Sequence, residues 1–187
     1  MPIPILSNLV NGVKEGVKAS LSGVKEVGTS LVDCMKKITL TTLRETTEFI
    51  TKGLETGASI VKGGISGIAD VGVSVVKAIK GIVSGTIKGI VEAGGEEKPA
   101  IKGAVSQAVH SAKELGVDVG EAAVEAVKGA IEATKEIGGN VAETTKEAVL
   151  TAIESAKEIG EETVKSVKEA LKEGVEGAKD IIDAIKD

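Results

Sequence analysis

Apolar side chains recur every 11 residues along most of this chain, and the full pattern of apolar, small and polar residues recurs every 22. The segment "AVKGAIEATKEIGG" at 126–139 follows "AVSQAVHSAKELGV" by 22 residues and precedes "AVLTAIESAKEIGE" by 22. Such a repeat guides the architecture more strongly than any local motif. Units of this register begin at Gly16, Ile38, Ile60, Ile82, Ala104, Ala126, Ala148 and Ala170.

This period predicts α-helix. Eleven residues in three turns give about 3.67 residues per turn, so an apolar stripe stays straight or supercoils gently to the right, unlike a heptad seam. The apolar positions cover about a third or more of the helix circumference, which is wider than a two-helix seam requires. The sequence therefore predicts an all-α protein of long amphipathic helices, arranged as a helical hairpin that packs in an oligomeric bundle, tube or filament.

The predicted binding face of these helices consists of apolar residues at fixed positions of the 22-residue unit. This face would contact either another copy of the chain or lipid. Glycine recurs at the thirteenth position, where its small size would allow helices to approach closely. The face is predicted to comprise Val61, Ile65, Ile68, Val71, Ile87, Val105, Val109, Leu115, Val127, Ile131, Ile137, Val149, Ile153 and Ile159. The predicted close-packing glycines are Gly28, Gly72, Gly116, Gly138 and Gly160.

One interruption of the helical pattern stands out. In "EAGGEEKPAIKG", Gly94 and Gly95 would end one helix and Pro99 would lie in the first turn of the next. This predicts a hinge at 94–103 between a near-neutral helical repeat region at 16–93 and an acidic one at 104–187.

Two further segments differ in character from the rest of the chain. Residues 1–15 contain two prolines and are expected to form an extended lead-in to a helix that Ser7 or Asn11 would cap. Residues 58–93 are rich in Val and Ile, a composition compatible with strand as well as helix. The unbroken 22-residue register favours helix there.

Composition and charge limit the kind of core that this chain can form and the kinds of partner that it can bind. Phe49 is the single aromatic residue, so any core must pack small aliphatic side chains. Residues 1–100 carry 12 basic and 10 acidic side chains, and residues 101–187 carry 11 and 18. The net charge of −5 and the scarcity of aromatics argue against nucleic-acid binding.

No catalytic, cofactor-binding or metal-binding residues are predicted, and the chain is not expected to be an enzyme or to carry a cofactor. His110 occupies a polar-face position that holds Glu in the later units, and Cys34 lies beside the apolar stripe as an expected buried thiol. A single cysteine excludes an internal disulfide, and neither a secretion signal nor a membrane-spanning run is evident. These features favour a cytoplasmic protein, with a peripheral membrane location as the alternative.

The segments "GVKEGVKA" at 12–19 and "VKEALKEGVEGAKD" at 167–180 resemble the 11-residue repeats of synucleins, perilipins and group 3 late-embryogenesis-abundant proteins. Bacterial phasins, which coat granules, are a looser analogy. The resemblance implies amphipathic helices that bind lipid surfaces, or stress proteins that fold on drying or binding. Those families use a helical face, so no individual site residue is implied.

Three functions follow from these observations. The first is a structural protein that self-assembles through the apolar face of its repeats, which makes a homo-oligomer the expected state. The second is a coat on anionic lipid or on a hydrophobic granule surface, with residues 60–91, of net charge +3, as the anchor. The third is a stress or desiccation protectant, against which the positive mean hydropathy argues.

Overall fold

The structure, a computed structural model, describes residues 4–21, 28–45 and 53–185. These ranges contain no strand, so the alternative of strand within 58–93 is wrong, and that segment is helical on both sides of a turn at 72–74. The helices are α1 Pro4–Leu21, α2 Gly28–Glu45, α3 Gly53–Val71, α4 Val75–Glu92, α5 Glu97–Glu114, α6 Val119–Ile137, α7 Val141–Ile159, α8 Glu161–Gly174 and α9 Ala178–Asp183.

From α3 to α7, each 22-residue unit forms one helix of 18 or 19 residues and one short turn. The glycine at the thirteenth position ends the helix. At Gly116 the backbone has φ 67°, its N–H donates to the carbonyl of Lys113, and the Val117 N–H donates to the carbonyl of Ala112. This pair of bonds defines a Schellman motif, which satisfies the last carbonyls of a helix. Asp118 then caps α6 by accepting from the Glu121 N–H at 2.8 Å.

The helices stack in two layers. The most extensive contacts join helices two apart in the chain, namely α1 to α3, α3 to α5 and α5 to α7, and likewise α2 to α4, α4 to α6 and α6 to α8. Odd-numbered helices therefore form one layer and even-numbered helices form the other. Contacts between consecutive helices hold the layers together.

The core lies between the layers and consists mainly of Ala, Val and Ile. Ala104, Ala108, Ala126 and Ala130 are fully buried, and Ile82 is as well. Small side chains allow each helix to pack against neighbours on three sides. The prediction of a core built without aromatic fillers is confirmed for the described residues.

The all-α prediction is confirmed, but the helices are shorter than the predicted hairpin of long helices requires. The break at 93–96 has the expected glycine at its start, since Gly94 has φ 96° and its N–H donates to the carbonyl of Val91. It is one of several similar turns, and α3 and α4 on one side pack against α5 and α6 on the other. Helices on the two sides of residues 94–103 therefore pack against each other.

The expected extended lead-in is also wrong over residues 4–15, because α1 begins at Pro4. Proline is favoured at the first position of a helix, where its missing N–H has no intrahelical partner to lose. Ser7 and Asn11 consequently lie inside the helix, on its exposed side.

Candidate functional site

Glycines form the closest contacts between stacked helices. A Cβ atom built on Gly85 of α4 would lie 2.5 Å from the carbonyl oxygen of Val32 and 2.7 Å from Cβ of Met35, both in α2. At Gly89, one turn further, it would lie 2.6 Å from Cβ of Thr39. These positions admit no side chain, because the backbone of α4 lies directly against α2.

The same contact recurs between other pairs of helices in a layer. A Cβ atom on Gly63 of α3 would lie 2.6 Å from the carbonyl oxygen of Val10 in α1, and one on Gly129 of α6 would lie 2.5 Å from that of Lys80 in α4. Members of this group are Gly63, Gly67, Gly85, Gly89, Gly103, Gly129 and Gly174.

Four of the five glycines predicted to pack closely make no close contact within this chain. Gly72, Gly116, Gly138 and Gly160 lie at the ends of helices, and a Cβ atom on any of them would meet no atom within 4 Å. Gly28 is the first residue of α2, and its surroundings lie outside the part of the chain that the structure describes. The close-packing glycines instead fall mainly at the fourth and eighth positions of the unit, a signal present in the sequence at Gly63 and Gly67 and again at Gly85 and Gly89.

The predicted binding face is largely the core of the chain itself. Val71 and Leu115 are 38% and 45% exposed, because they end their helices, while Ile131, Ile137 and Ile159 are half-buried. The structure brings the remaining members together between the two layers. The buried members are Val61, Ile65, Ile68, Ile87, Val105, Val109, Val127, Val149 and Ile153.

Ion pairs join stacked helices along each layer. Lys36 of α2 lies 2.5 Å from Glu92 of α4, and His110 of α5 lies 2.9 Å from Glu158 of α7. Glu147 of α7 accepts from both Lys98 and Lys102 of α5, at 3.2 and 3.1 Å. Polar side chains outside the core thus reinforce the stacking that the glycines allow.

Two carboxylates in these pairs have lowered pKa values. A hydrogen bond from Lys14 is the main reason that the pKa of Asp70 lies below its ordinary value of 3.8. Burial raises the pKa of Glu147, but hydrogen bonds from Lys102 and Lys98 and the charges of these lysines outweigh it, so the pKa is lower than its ordinary value of 4.5.

A groove of about 650 Å³ lies between α2, α4 and α6 on the even-numbered layer. Lys80 pairs with Glu132 and Lys88 pairs with Glu136, each at 2.6 Å, so two ion pairs bridge α4 and α6 beside the groove. Lys88 is buried, with 8% of its surface exposed. The groove is lined by Leu31, Val32, Asp33, Val73, Lys77, Ala78, Lys80, Gly81, Lys88, Glu132 and Glu136.

No group of three or more His, Cys, Asp or Glu side chains within residues 4–21, 28–45 and 53–185 could hold a metal ion. Within the same ranges, no helix is both long enough and apolar enough to cross a membrane. Cys34 is half-buried in α2 with a free thiol.

Neither a protein-family model nor a curated protein matches this sequence. A solved structure does: the crystal structure of a de novo designed helical repeat protein, DHR7, matches with a TM-score of 0.57 and 21% sequence identity. The match covers 92% of this chain and 96% of the designed one. At this identity the likeness shows the helical repeat fold alone, and the resemblance to synucleins, perilipins and late-embryogenesis-abundant proteins stays a prediction.

Proposed function

We propose that this chain is a non-enzymatic structural protein: a helical-repeat scaffold whose 22-residue units associate with one another inside one chain. The observation that supports this proposal is where the repeat face lies. Ile60, Ile65, Ile82 and Ile87 are no more than 1% exposed, and the helices that cover them belong to the same chain. The face expected to bind a second copy therefore already has its partner.

The outer surfaces of α1, the first helix of the odd-numbered layer, and of α8, the last helix of the even-numbered layer, fit this proposal. In α1 the exposed residues include Ser7, Asn11 and Glu15, and in α8 they include Lys165 and Glu169. Solenoid proteins end in repeats with a polar outer face, which prevents further stacking. Self-assembly through the repeat face would require the outer surfaces of α1 and α8 to be apolar.

The lipid-coat alternative uses the same face, and it ranks lower because that face is buried within the chain. Within its anchor, 60–91, every residue from Ile82 to Ile90 is buried. Lipid could bind this segment only after α3 and α4 had separated from their neighbours, which would expose the core to water at a large cost in free energy. We further propose a reducing compartment such as the cytoplasm, since the sequence contains one cysteine.

The test combines circular dichroism with light scattering after size exclusion, over a concentration series and with or without anionic vesicles. The scaffold proposal predicts high helicity without lipid and a mass of 18.9 kDa at all concentrations. A mass that rises with concentration would instead support assembly between copies. Low helicity that increases only with vesicles would support the lipid coat, and low helicity throughout would support a protectant.

A pair of variants sharpens this test. Val109→Glu places a charge in the core, whereas Leu115→Glu alters a residue that is 45% exposed. The scaffold proposal predicts that Val109→Glu loses helicity even at low concentration and that Leu115→Glu stays folded and monomeric. If Val109→Glu were a well-folded monomer and the wild type an oligomer, the repeat face would lie between copies and the scaffold proposal would be overturned.

A further inference from the structure

The unit that begins at Ala170 has the same residue pattern as the units before it but a different structure. Its segment "ALKEGVEGAKDI" at 170–181 follows "AVLTAIESAKEI" at 148–159, with apolar and small residues at the same positions. The earlier segment lies within one helix, α7, whereas the later one is divided between α8 and α9. Between these two helices, Val175 has an extended backbone and Gly177 has a φ of 80°. The chain therefore bends where the repeat predicts one straight helix.

Two glycines distinguish this unit from the three before it. Gly174 stands where those units have alanine, and Gly177 stands where they have Ser111, Ala133 and Ser155. Glycine adopts a positive φ at little cost, whereas a residue with a Cβ atom does not. The same pattern with side chains at these positions forms an unbroken helix three times. The bend thus depends on glycines in a segment that otherwise favours a straight helix.

In its bent arrangement, α9 takes the place of a further helix of the stack. It contacts α7 and α8, as each helix of the stack contacts the helices two and one before it. The Lys172 ammonium of α8 lies 2.6 Å from the Asp183 carboxylate of α9. These residues are 11 apart in sequence, so a straight helix would separate them by about 16 Å along its axis. We call the arrangement with this ion pair the folded-back form.

The bend leaves part of α6 without a helix stacked on it. A groove of about 440 Å³ lies beside the end of α8, and its lining includes Lys128, Ile131 and Glu132 of α6. Ile131 is half-buried, whereas Val109, at the same position of the unit in α5, is fully buried. The helix that stacks on α5 has 19 residues, but α8, which stacks on α6, has 14. The groove therefore lies where the rest of a full-length α8 would pack.

The contact between α5 and α7 shows where residues 175–181 would lie if α8 continued. Ser155 of α7 donates to the hydroxyl of Ser106 of α5 at 2.9 Å. The residues 22 positions later are Gly177 and Lys128. Because α8 stacks on α6 as α7 stacks on α5, a straight α8 would place Gly177 beside Lys128, which lines the groove.

We propose that residues 175–184 form a flap with two positions. In the folded-back form the flap covers part of α7, and in the straight form it continues α8 and fills the groove beside Ile131. Val175 and Ala178 are buried in the folded-back form, and their counterparts Ile153 and Ala156 are buried in α7, so both positions cover these side chains. The straight form uncovers the side of α7 that α9 contacts. This device goes beyond the scaffold function, because it makes one part of the stack able to open.

The experiment measures the distance between two spin labels on the full chain. Lys165→Cys and Ala184→Cys, both at exposed residues, carry the labels in a Cys34→Ser background, and an excess of unlabelled chain excludes distances between copies. In the folded-back form the labels lie within about 20 Å, because Asp183 contacts Lys172, which is about 10 Å from Lys165. The straight form separates their Cα atoms by about 28 Å. We expect a major short and a minor long distance by double electron–electron resonance.

Gly177→Ala should shift this distribution toward the long distance. A Cβ atom at residue 177 meets no atom within 4 Å but is strained at a φ of 80°, so the substitution disfavours the folded-back form alone. The ratio of straight to folded-back forms should rise about 5- to 30-fold. Helicity by circular dichroism should also increase, because residues 175–177 join the helix. A broad distribution with lower helicity would show that α9 detaches without entering the groove, and would overturn the proposal.

Gly116→Ala is the matched control, because Gly116 also has a positive φ and free space but ends α5, outside the flap. It should leave the distance distribution unchanged, and a shift equal to that of Gly177→Ala would mean that general destabilisation moves the flap. Ile131→Lys, added to Gly177→Ala, places a charge where the straight form packs and should lower the ratio at least fivefold. A long distance that persisted in this double variant would refute the groove as the second position.

Discussion

At the scale of single residues, the glycines divide into two groups with different physical roles. Those inside helices, such as Gly85 and Gly129, allow the backbone of one helix to touch the next. Those at helix ends, such as Gly116 and Gly138, adopt a positive φ and have free space around them. The two roles predict different effects of substitution on the stability of the protein.

Gly85→Ala should destabilise the protein. The added Cβ would lie 2.5 Å from the Val32 carbonyl oxygen, and relieving this overlap costs about 1–3 kcal/mol, more than the gain of about 1 kcal/mol in helix propensity. Gly12→Ala, where the space is open, should stabilise by about 0.5–1 kcal/mol. Urea unfolding of both variants measures the difference. Equal stability of the two would contradict the close approach of α4 and α2.

Substitutions of Gly138 should destabilise the protein through backbone strain rather than through the size of the new side chain. Its φ of 79° is unfavourable for a residue with a Cβ, and Gly138→Ala should cost about 1–2 kcal/mol. Since a Cβ there meets no atom within 4 Å, Gly138→Leu should cost about the same as Gly138→Ala. Thermal unfolding compares the two, with Gly138→Asn as the variant expected to lose least. A much larger loss of stability in Gly138→Leu than in Gly138→Ala would instead indicate that this glycine is closely packed.

At the scale of the helix, each unit carries its own start and stop signals. Asn140 caps α7 by accepting from the Glu143 N–H at 3.2 Å, as Asp118 caps α6. Ser74 precedes α4 in the same position, but its side chain makes no capping bond. Helices that begin and end at defined residues explain why the chain does not form one long rod.

The caps provide a matched pair of substitutions. Asp118→Ala removes a capping bond of 2.8 Å and should lower the free energy of unfolding by about 1 kcal/mol. Ser74→Ala removes no such bond and should change it by less than about 0.5 kcal/mol. Denaturant unfolding distinguishes them, and comparable losses in both would mean that the Asp118 bond contributes little.

At the scale of the whole molecule, ion pairs on the surface of each layer follow the stacking from α1 to α7. Lys14 and Asp70 join α1 to α3 at 3.0 Å, and Lys102 and Glu147 join α5 to α7 at 3.1 Å. Because these two pairs lower the pKa values of Asp70 and Glu147, they connect the stability of the stack to pH.

Glu147→Gln should make the free energy of unfolding depend less steeply on pH in the acid range. The pKa of Glu147 is lower in the folded than in the unfolded protein, so its contribution is present above about pH 4.5 and is lost as the pH falls through the folded value. Between about pH 5 and 3, unfolding free energies of the variant should therefore decline less steeply than those of the wild type. A variant whose free energy of unfolding declined as steeply as that of the wild type over this range would contradict this role for Glu147.

The sequence predicted the helices and their repeat, but not where each helix ends. Twenty-two residues at 3.67 per turn complete six turns, so the apolar face keeps its direction through a break, and the periodicity cannot reveal it. The signal lay in the four-residue runs of Val71 to Ser74 and of Leu115 to Asp118, in which glycine, an apolar residue and a residue of the type favoured at the N-cap follow one another.

The candidate site could be predicted only in part. Val105 and Ile153, which the sequence predicts for a face that contacts another copy or lipid, are buried within the chain. The close-packing glycines were hidden because Gln107 and Thr151 occupy the equivalent position in other units. The groove depends on helices that lie far apart in sequence, and its ion pairs join Lys80 to Glu132 and Lys88 to Glu136.

The stacking of each helix on the one two units later has a consequence for synthesis on the ribosome. From α3 onward a new helix can pack on the helix two earlier as it emerges, but the side that receives the helix two later waits until about 44 further residues, two units of 22, have emerged. At about 5–20 residues per second, its apolar side stays uncovered for roughly 2–9 seconds. The nascent chain thus carries two incompletely covered helices at its growing end, and the short helix Ala178–Asp183 contacts both α7 and α8.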